Sequence, residues 1–170
     1  MPVAITVTLP PESASLVAKF NQLPTEMPKA VQRGMDRALQ VVRGRIQTNR
    51  LTGQGPFPPE EHRLGERTGD YRASLRSEPA VVVNNLVIGS IGSPIRHNDF
   101  NYPLTHEFGA TVTPVRGRYL VYKIGEQTIF SKRSVIPARA PVITGIDENK
   151  DYIASEVIAE IEHTLDDVGK

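Results

Sequence analysis

Histidines and paired carboxylates are the residue types in this chain that could bind a metal or transfer protons. The histidines are His62, His97, His106 and His163. No two are four residues apart, the spacing at which one helix face presents two imidazoles to zinc, and no cysteine could complete such a site. On a helix, the adjacent His106 and Glu107 would point about 100° apart. The sequence therefore predicts no metal site and no cofactor.

Other short motifs also fall short of a catalytic pattern. The segment 89–93 reads Gly-Ser-Ile-Gly-Ser, which differs from the nucleophile elbow of hydrolases. The segment 53–56 lacks the lysine of a phosphate-binding loop. Neither Glu60-Glu61 nor Asp166-Asp167 indicates the convergent carboxylates of an acid–base pair. We expect no catalytic residues and no enzyme, with a small hydrolase acting through His106 and Glu107 as the alternative.

A long amphipathic helix is the clearest structural element in the sequence. From Thr25, a plausible N-cap, to Arg50, apolar residues recur in steps of three and four. They are Met27, Val31, Met35, Ala38, Leu39, Val42 and Ile46. Gly34 and Gly44 each weaken the helix by about 1 kcal/mol relative to alanine, which favours close backbone approach there. The opposite face is basic and includes Arg33 and Arg37.

Shorter elements follow the long helix. Thr68 is the predicted N-cap of a short helix, and the segment 102–108 is a helix that Gly109 ends in a left-handed conformation. Two hairpins are predicted, with turns at Asn84-Asn85 and at Gly125-Glu126. A strand is predicted near the N-terminus and a short helix after it, at 3–9 and 12–22.

A second amphipathic helix is predicted near 147–165. Its acids should face outward, and five of its apolar residues should face inward. These are Ile153, Val157, Ile158, Ile161 and Leu165.

The predicted fold class is α+β, an antiparallel sheet of hairpins packed by the long N-terminal-half helix and the C-terminal helix. A chain of 170 residues and 18.7 kDa fits one domain, 1–170. Extended loops are predicted near 52–67, 93–101 and 131–141. No apolar run approaches the about 18 residues that span a bilayer. The N-terminus lacks the layout of a signal peptide, so we expect no membrane partner and assembly in the cytoplasm.

Charge is segregated along a chain whose net charge is only +1. Residues 116–139 carry six basic side chains and one acid, whereas residues 147–170 carry eight acids and two lysines. Segregated charge can guide a partner, or a second copy of the chain, into register. The alternative is that both segments are simply solvated faces.

Four separated motifs resemble a known protein family when they are read in order. They are Arg67-Thr68-Gly69-Asp70-Tyr71-Arg72-Ala73-Ser74-Leu75, Val87-Ile88-Gly89-Ser90, Tyr102-Pro103-Leu104-Thr105-His106-Glu107-Phe108-Gly109 and Ile136-Pro137-Ala138-Arg139-Ala140-Pro141. This order resembles the tail-completion and virion-morphogenesis proteins of long-tailed bacteriophages, the minor tail protein Z-like group. The resemblance covers roughly residues 25–165.

The resemblance implies a structural protein of the virion neck, at the head-proximal end of the tail. Its copies, expected to number six, would form a ring around the DNA channel. The ring would join the tail tube or terminator protein to the head-side stopper or connector. Non-specific contact with genomic DNA is possible in such a channel. A tail terminator or tube-like subunit is the alternative within the same class.

Two contacts are predicted, the second of them for such a ring. The acidic Glu107 near a helix C-terminus favours a basic partner, and Arg139 is the candidate; the alternative is that the two are unrelated surface charges. The basic segment 116–139 of one copy is expected to meet the acidic segment 147–170 of the next. The candidate interface residues are Arg33, Arg37, Arg116, Arg118, Lys132, Arg133, Arg139, Glu107, Glu156 and Glu160.

Overall fold

The structure is a computed structural model that describes residues 19, 21–52, 62–65, 68–83, 86–96, 100–124 and 126–169. The predicted strand 3–9, nearly all of the helix 12–22, most of the loop 52–67 and the turn Asn84-Asn85 lie outside these residues. The chain groups into two compact units. The first unit comprises 1–39, 79–90 and 151–170, and the second comprises 40–78 and 91–150. Nothing in the sequence indicated this grouping, and the single-domain expectation stays a prediction.

Helices and small antiparallel hairpin sheets make up the fold, which confirms the predicted α+β class. The helices are α1 (Leu23–Asn49), α2 (Asp70–Ser74), α3 (Tyr102–Phe108), α4 (Pro141–Asp147) and α5 (Lys150–Gly169). The strands are β1 (Arg76–Val83), β2 (Leu86–Gly92), β3 (Ala110–Val112), β4 (Leu120–Ile124), β5 (Gln127–Ser131) and β6 (Ser134–Ile136). None of the helices in the described ranges is long and apolar enough to cross a membrane.

The strands form three separate two-stranded sheets in the described residues, β1–β2, β3–β6 and β4–β5, rather than one continuous sheet. The β4–β5 hairpin is antiparallel, with Ile124 opposite Gln127 at its turn, as predicted. The predicted loop 131–141 was wrong in part, because β6 lies inside it and pairs with β3. The sequence missed this pairing because β3 and β6 are only three residues long and are far apart along the chain.

Two helix boundaries also differ from the predictions. Thr68 is not an N-cap, because α2 begins after Gly69, whose φ of 79° places it in the left-handed region. The predicted helix near 147–165 is present as α5, which begins at Lys150 and ends at Gly169, and the separate short helix α4 precedes it.

Helix α1 buries the apolar face that its periodicity predicted. Ala38, Leu39, Val42 and Ile46 are all buried. The expectation of close approach is confirmed at Gly34, where a Cβ atom would lie 2.8 Å from the Cα of Val157 in α5. Gly44 differs, because a Cβ atom there would meet nothing within 4 Å. In the first unit, α1 and α5 therefore pack backbone to backbone.

The β1–β2 hairpin is fastened to α1 within the first unit. The buried Ala80 donates its N–H to the Asp36 carboxylate at 2.6 Å, and its carbonyl accepts from the Gln32 side chain at 2.6 Å. Gln32 and Asp36 lie four residues apart, so one helix face supplies both partners. On β2, Gly89 lies so close to Met35 and Leu39 that a side chain would clash.

The inward face of α5 agrees only in part with the prediction, because Ile153, Val157 and Ile161 are half-buried but two of the five apolar residues are exposed. Ile158 and Leu165 are 54% and 45% exposed, while Glu160 and Thr164 are buried. Both Glu160 and Thr164 bind Arg33 of α1, at 2.7 and 3.1 Å. The buried face of α5 therefore includes polar residues that bind α1, and part of its apolar surface stays in solvent.

The second unit packs α4 against the C-terminal half of α1. A side chain at Gly145 would clash with the buried Ile46. The Arg45 side chain donates to Asn149 at 2.6 Å, and Arg50 pairs with Glu148. Other buried apolar residues of this unit include Val42, Leu51, Leu64, Tyr71, Leu75, Pro103, Pro141 and Val142.

Candidate functional site

Three of the four motifs that carry the family resemblance meet in the second unit. Tyr71 comes from α2, and Tyr102, His106 and Glu107 come from α3. We call these four residues the aromatic–carboxylate cluster. The Tyr71 and Tyr102 rings meet edge to face with centroids 5.9 Å apart, and the Tyr102 and His106 rings do so at 4.3 Å. The remaining motif, Val87 to Ser90 in β2, lies in the first unit.

Helix α3 has defined ends that place the cluster. The Asn101 side chain caps its start by accepting the Leu104 N–H at 3.1 Å. Gly109 ends it with the predicted positive φ, 75°, but its ψ of 167° differs from that of the predicted left-handed conformation. A Cβ atom at Gly109 would lie 2.9 Å from both the Ala138 nitrogen and the Ile136 carbonyl oxygen. Glycine therefore allows the 136–138 backbone to approach the end of α3.

The end of α3 binds the segment that leads into α4. The His106 carbonyl accepts two backbone N–H groups, from Arg139 at 2.8 Å and from Ala140 at 3.1 Å. On the other side of this segment, the Arg139 carbonyl lies 3.0 Å from the His62 ring. Ala140 has a φ of 44°, a conformation that residues with a side chain rarely adopt. These hydrogen bonds hold it in that conformation.

Glu107 supplies the N-terminal cap of α4. Its Oε1 accepts the Val142 N–H at 2.8 Å, and its Oε2 accepts the Ile143 N–H at 3.3 Å. Pro141, the first residue of α4, has no N–H, and Ala140 at the N-cap position offers no side-chain cap. The carboxylate therefore satisfies the first free amides of α4 and interacts favourably with the positive end of its dipole.

The positive partner expected for Glu107 is present in a form that sequence reasoning missed. We predicted the Arg139 guanidinium, whereas the structure provides the backbone amides three and four residues beyond Arg139. In the sequence, this cap is indicated only by Glu107 before Gly109 and by Pro141 at the start of α4. That signal is too weak to identify it. Pairing between the side chains of Glu107 and Arg139 stays a prediction.

Burial shifts the pKa of two residues of the cluster, Tyr71 and His106, towards their neutral forms. Burial, together with the nearby charge of Glu107, raises the pKa of the Tyr71 phenol well above its ordinary range. The hydroxyl stays protonated and donates to Glu107 at 3.4 Å. Burial and the positive charge of Arg139 lower the pKa of His106. Its buried Nδ1 has no hydrogen-bond partner within the described residues.

In this arrangement, Glu107 of α3 joins α2 and α4 through its hydrogen bonds, which is a structural role. A cavity of about 280 Å³ lies beside it, lined in part by Leu64, Asp70, Tyr71 and Tyr102. Across the described ranges, no three histidine, aspartate or glutamate side chains are placed to hold a metal ion. The alternative hydrolase acting through His106 and Glu107 stays a prediction.

A second carboxylate cluster lies in the first unit. Glu160, only 8% exposed, accepts from Arg33 Nε and Arg37 Nη2, each at 2.7 Å. The hydrogen bond from Arg33, assisted by that from Arg37, outweighs burial and lowers the pKa of Glu160. All three were predicted to be interface residues. The structure uses them inside one chain, and an additional role between copies stays a prediction.

The other predicted interface residues are distributed over both units. Arg139 and Glu156 are half-buried in different units. Four basic residues lie exposed on the segments that flank the β4–β5 hairpin. They are Arg116, Arg118, Lys132 and Arg133.

Exposed apolar side chains on the hairpins are a feature that the sequence analysis did not single out. On β4–β5, Val121 lies directly opposite Phe130, and the two are 61% and 66% exposed. The outer part of the β1–β2 hairpin is similar. Its exposed residues are Val81, Val82, Val83, Leu86 and Ile88. Strand periodicity predicted these elements, but it did not indicate which sheet faces would remain uncovered.

Comparison with known proteins found no matching family model, no matching curated sequence and no matching solved structure. The resemblance to phage tail-completion proteins therefore stays a prediction. We infer function from the geometry of the two carboxylate clusters and from the exposed hairpins.

Proposed function

We propose that this chain is a structural subunit that assembles with other protein chains in the neck of a tailed bacteriophage. The observation that carries the proposal is the pair of two-stranded hairpins, β1–β2 and β4–β5, whose apolar side chains are exposed. The proposed activity is assembly, without a chemical reaction.

A two-stranded hairpin gains little stability in water by itself. Independent stability usually requires three or more strands with a covered apolar face, or packing against a helix. The inner part of β1–β2 meets this requirement at Ala80, which α1 covers, but its outer part does not. Open strand edges and contiguous exposed apolar residues both mark surfaces that bind other chains. A partner that covers the hairpins would stabilise them and the complex together.

The two carboxylate clusters supply the rigidity that such a subunit needs. Glu107 ties α3 to α4, and Glu160 ties α5 to α1. Rigid elements present a binding surface with less loss of conformational entropy than mobile loops do. The motifs of the family resemblance supply Glu107 and most of its neighbours. This supports the interpretation of these motifs as a framework for an assembly protein.

The specific role that we propose is tail completion. Copies of the chain form a ring, expected to have six members, between the tail tube or terminator protein and the head-side connector. The ring surrounds the channel through which DNA passes, inside a virion assembled in the host cytoplasm. In the alternative role, as a tail terminator or tube-like subunit, this chain would use the same surfaces at a different level of the tail.

Electron microscopy of the purified chain, mixed with tail-tube and head-side neck proteins, tests this proposal. The expected result is a ring of this chain at the head-proximal end of the tube. The variant Val121→Ser with Phe130→Ser should fold but fail to incorporate, because it removes the exposed apolar pair. Val115→Ser is the matched control, since Val115 is 95% exposed outside the strands. A wild-type chain that never binds particle components, and instead turns over a substrate as a monomer, would refute the proposal.

A further inference from the structure

We propose that the β4–β5 hairpin of one copy docks onto the outward face of α5 of a second copy. This inference rests on the proposed function and identifies the two surfaces that would join neighbouring subunits. One surface is apolar and basic, and the other is apolar and acidic.

The hairpin surface is defined by strand register. Val121 lies opposite Phe130, and Lys123 lies opposite Thr128. Because residues two apart on a strand share a face, these four side chains lie on one side of the hairpin. All four are exposed, and Lys132 follows two residues after Phe130, also exposed. We call this set the hairpin face.

The helix surface is defined by helical spacing. Ile158 and Leu165 are seven residues apart, which is two turns, so both lie on the same outward side of α5. Asp151, Glu162 and Asp166 are exposed beside them. Glu162 follows Ile158 by four residues, and Asp166 follows Glu162 by four. We call these five residues the helix face.

Charge complementarity selects a second copy as the partner. Among the residues that the structure describes, neither Lys123 nor Lys132 makes an ion pair, and neither do Glu162 and Asp166. Glu162 and Asp166 also repel each other, since like charges four apart destabilise a helix. Lysines from a neighbouring chain would relieve this repulsion. The same contact would bury the apolar pairs Val121–Phe130 and Ile158–Leu165, which are otherwise exposed to water.

The proposed contact joins two different surfaces, so it is heterologous. Each copy then offers one hairpin face and one helix face, and copies add head to tail. Such contacts close into a ring when the rotation between neighbours fits, and otherwise form filaments. The contact therefore accounts for a ring without any additional surface. It also places the segregated charges of residues 116–139 and 147–170 against each other.

Paired charge reversals of the full-length chain test the contact. The hairpin variant carries Lys123→Glu with Lys132→Glu, and the helix variant carries Glu162→Lys with Asp166→Lys. Each variant should self-associate about tenfold more weakly than the wild type in sedimentation velocity, because attraction at two sites becomes repulsion. An equimolar mixture should associate again, since each altered face then meets an oppositely charged face. Wild-type association should weaken between about 50 mM and about 500 mM salt.

Control variants separate this contact from general effects of charge. Arg96→Glu and Glu78→Lys reverse exposed charges outside both faces and should leave association unchanged. Circular dichroism of every variant confirms folding. Two results overturn the inference: a wild type that remains monomeric, and reversals that leave wild-type association intact or are not rescued on mixing. If the rings seen by microscopy persist in either case, only the inference fails and the proposed function stands.

Discussion

Each of the two units contains a carboxylate that joins helices, but the two carboxylates are held differently. In the first unit, two guanidinium groups, from Arg33 and Arg37, bind Glu160. In the second unit, Glu107 binds the backbone amides that begin α4 and the hydroxyl of Tyr71. Glu160 is therefore balanced by full side-chain charges, and Glu107 by peptide dipoles.

The difference affects how much stability is lost when either junction, Glu160 with α1 or Glu107 with α4, is broken. Removal of the arginines would leave a buried charge without a partner, which is far more costly than the loss of an exposed ion pair. Removal of Glu107 would leave two amides at a helix end that water can reach in part, since Ile143 is exposed. We therefore expect the first junction to be more sensitive to substitution than the second.

The largest effect is expected for the double variant Arg33→Ala with Arg37→Ala. It should lower the free energy of unfolding by about 2–3 kcal/mol, because the buried Glu160 carboxylate loses both cations. Urea denaturation measures this loss. Lys29→Ala is the control, because the Lys29–Glu26 pair is exposed and should contribute at most about 0.5 kcal/mol. Adding Glu160→Gln should recover part of the loss, and a double variant as stable as the control would contradict the ranking.

Glu107→Ala should destabilise the protein less, by about 1–2 kcal/mol, the usual range for loss of a helix cap. The measurement is again urea denaturation. Asp147→Ala is the matched control at the other end of α4, where the carboxylate is exposed, and its effect should stay within about 0.5 kcal/mol. If Glu107→Ala cost more than the double arginine variant, the proposed difference between the junctions would be wrong.

A pair of glycine substitutions compares the two halves of α1. Gly34→Ala should lower the free energy of unfolding by about 1 kcal/mol or more. The new Cβ would clash with the α5 backbone, and this cost should exceed the gain in helix propensity. Gly44→Ala should stabilise by up to about 1 kcal/mol, since its Cβ meets nothing within 4 Å. Thermal melts of the two variants measure both signs. Equal shifts in the same direction would show that α1 and α5 do not approach closely at Gly34.

The smallest effect concerns pH. The pKa of His106 is lowered from 6.5, so the unfolded chain binds this proton more readily and stability falls as pH drops below about 6.5. The pKa of Glu160 is lowered from 4.5, so its contribution is complete above about 4.5 and is lost as pH falls through the lower folded value. In His106→Gln, the free energy of unfolding should therefore vary less between about pH 7 and about pH 5, while the loss of stability at lower pH persists. Denaturation curves across this range check the assignment, and an unchanged profile would refute it.

Local patterns in the sequence predicted most elements correctly. Three- and four-residue spacing identified α1 and its buried face, and alternation with turn residues identified both hairpins. Gly109 signalled the end of α3. These features depend on interactions between residues close along the chain, which is why spacing and turn chemistry suffice to predict them.

Contacts between distant segments were decided by the tertiary structure. The pairing of β3 with β6, the cap that Glu107 provides to α4 and the burial of Glu160 each join residues at least 22 positions apart. On α5, the apolar pattern predicted that Ile158 and Leu165 face inward, whereas the structure buries Glu160 and Thr164, which bind Arg33. The sequence by itself determined the long helix, the C-terminal helix and the two hairpins, although it missed α4 and the β3–β6 pair. The structure determined which faces remain exposed, because burial depends on partners that local patterns do not specify.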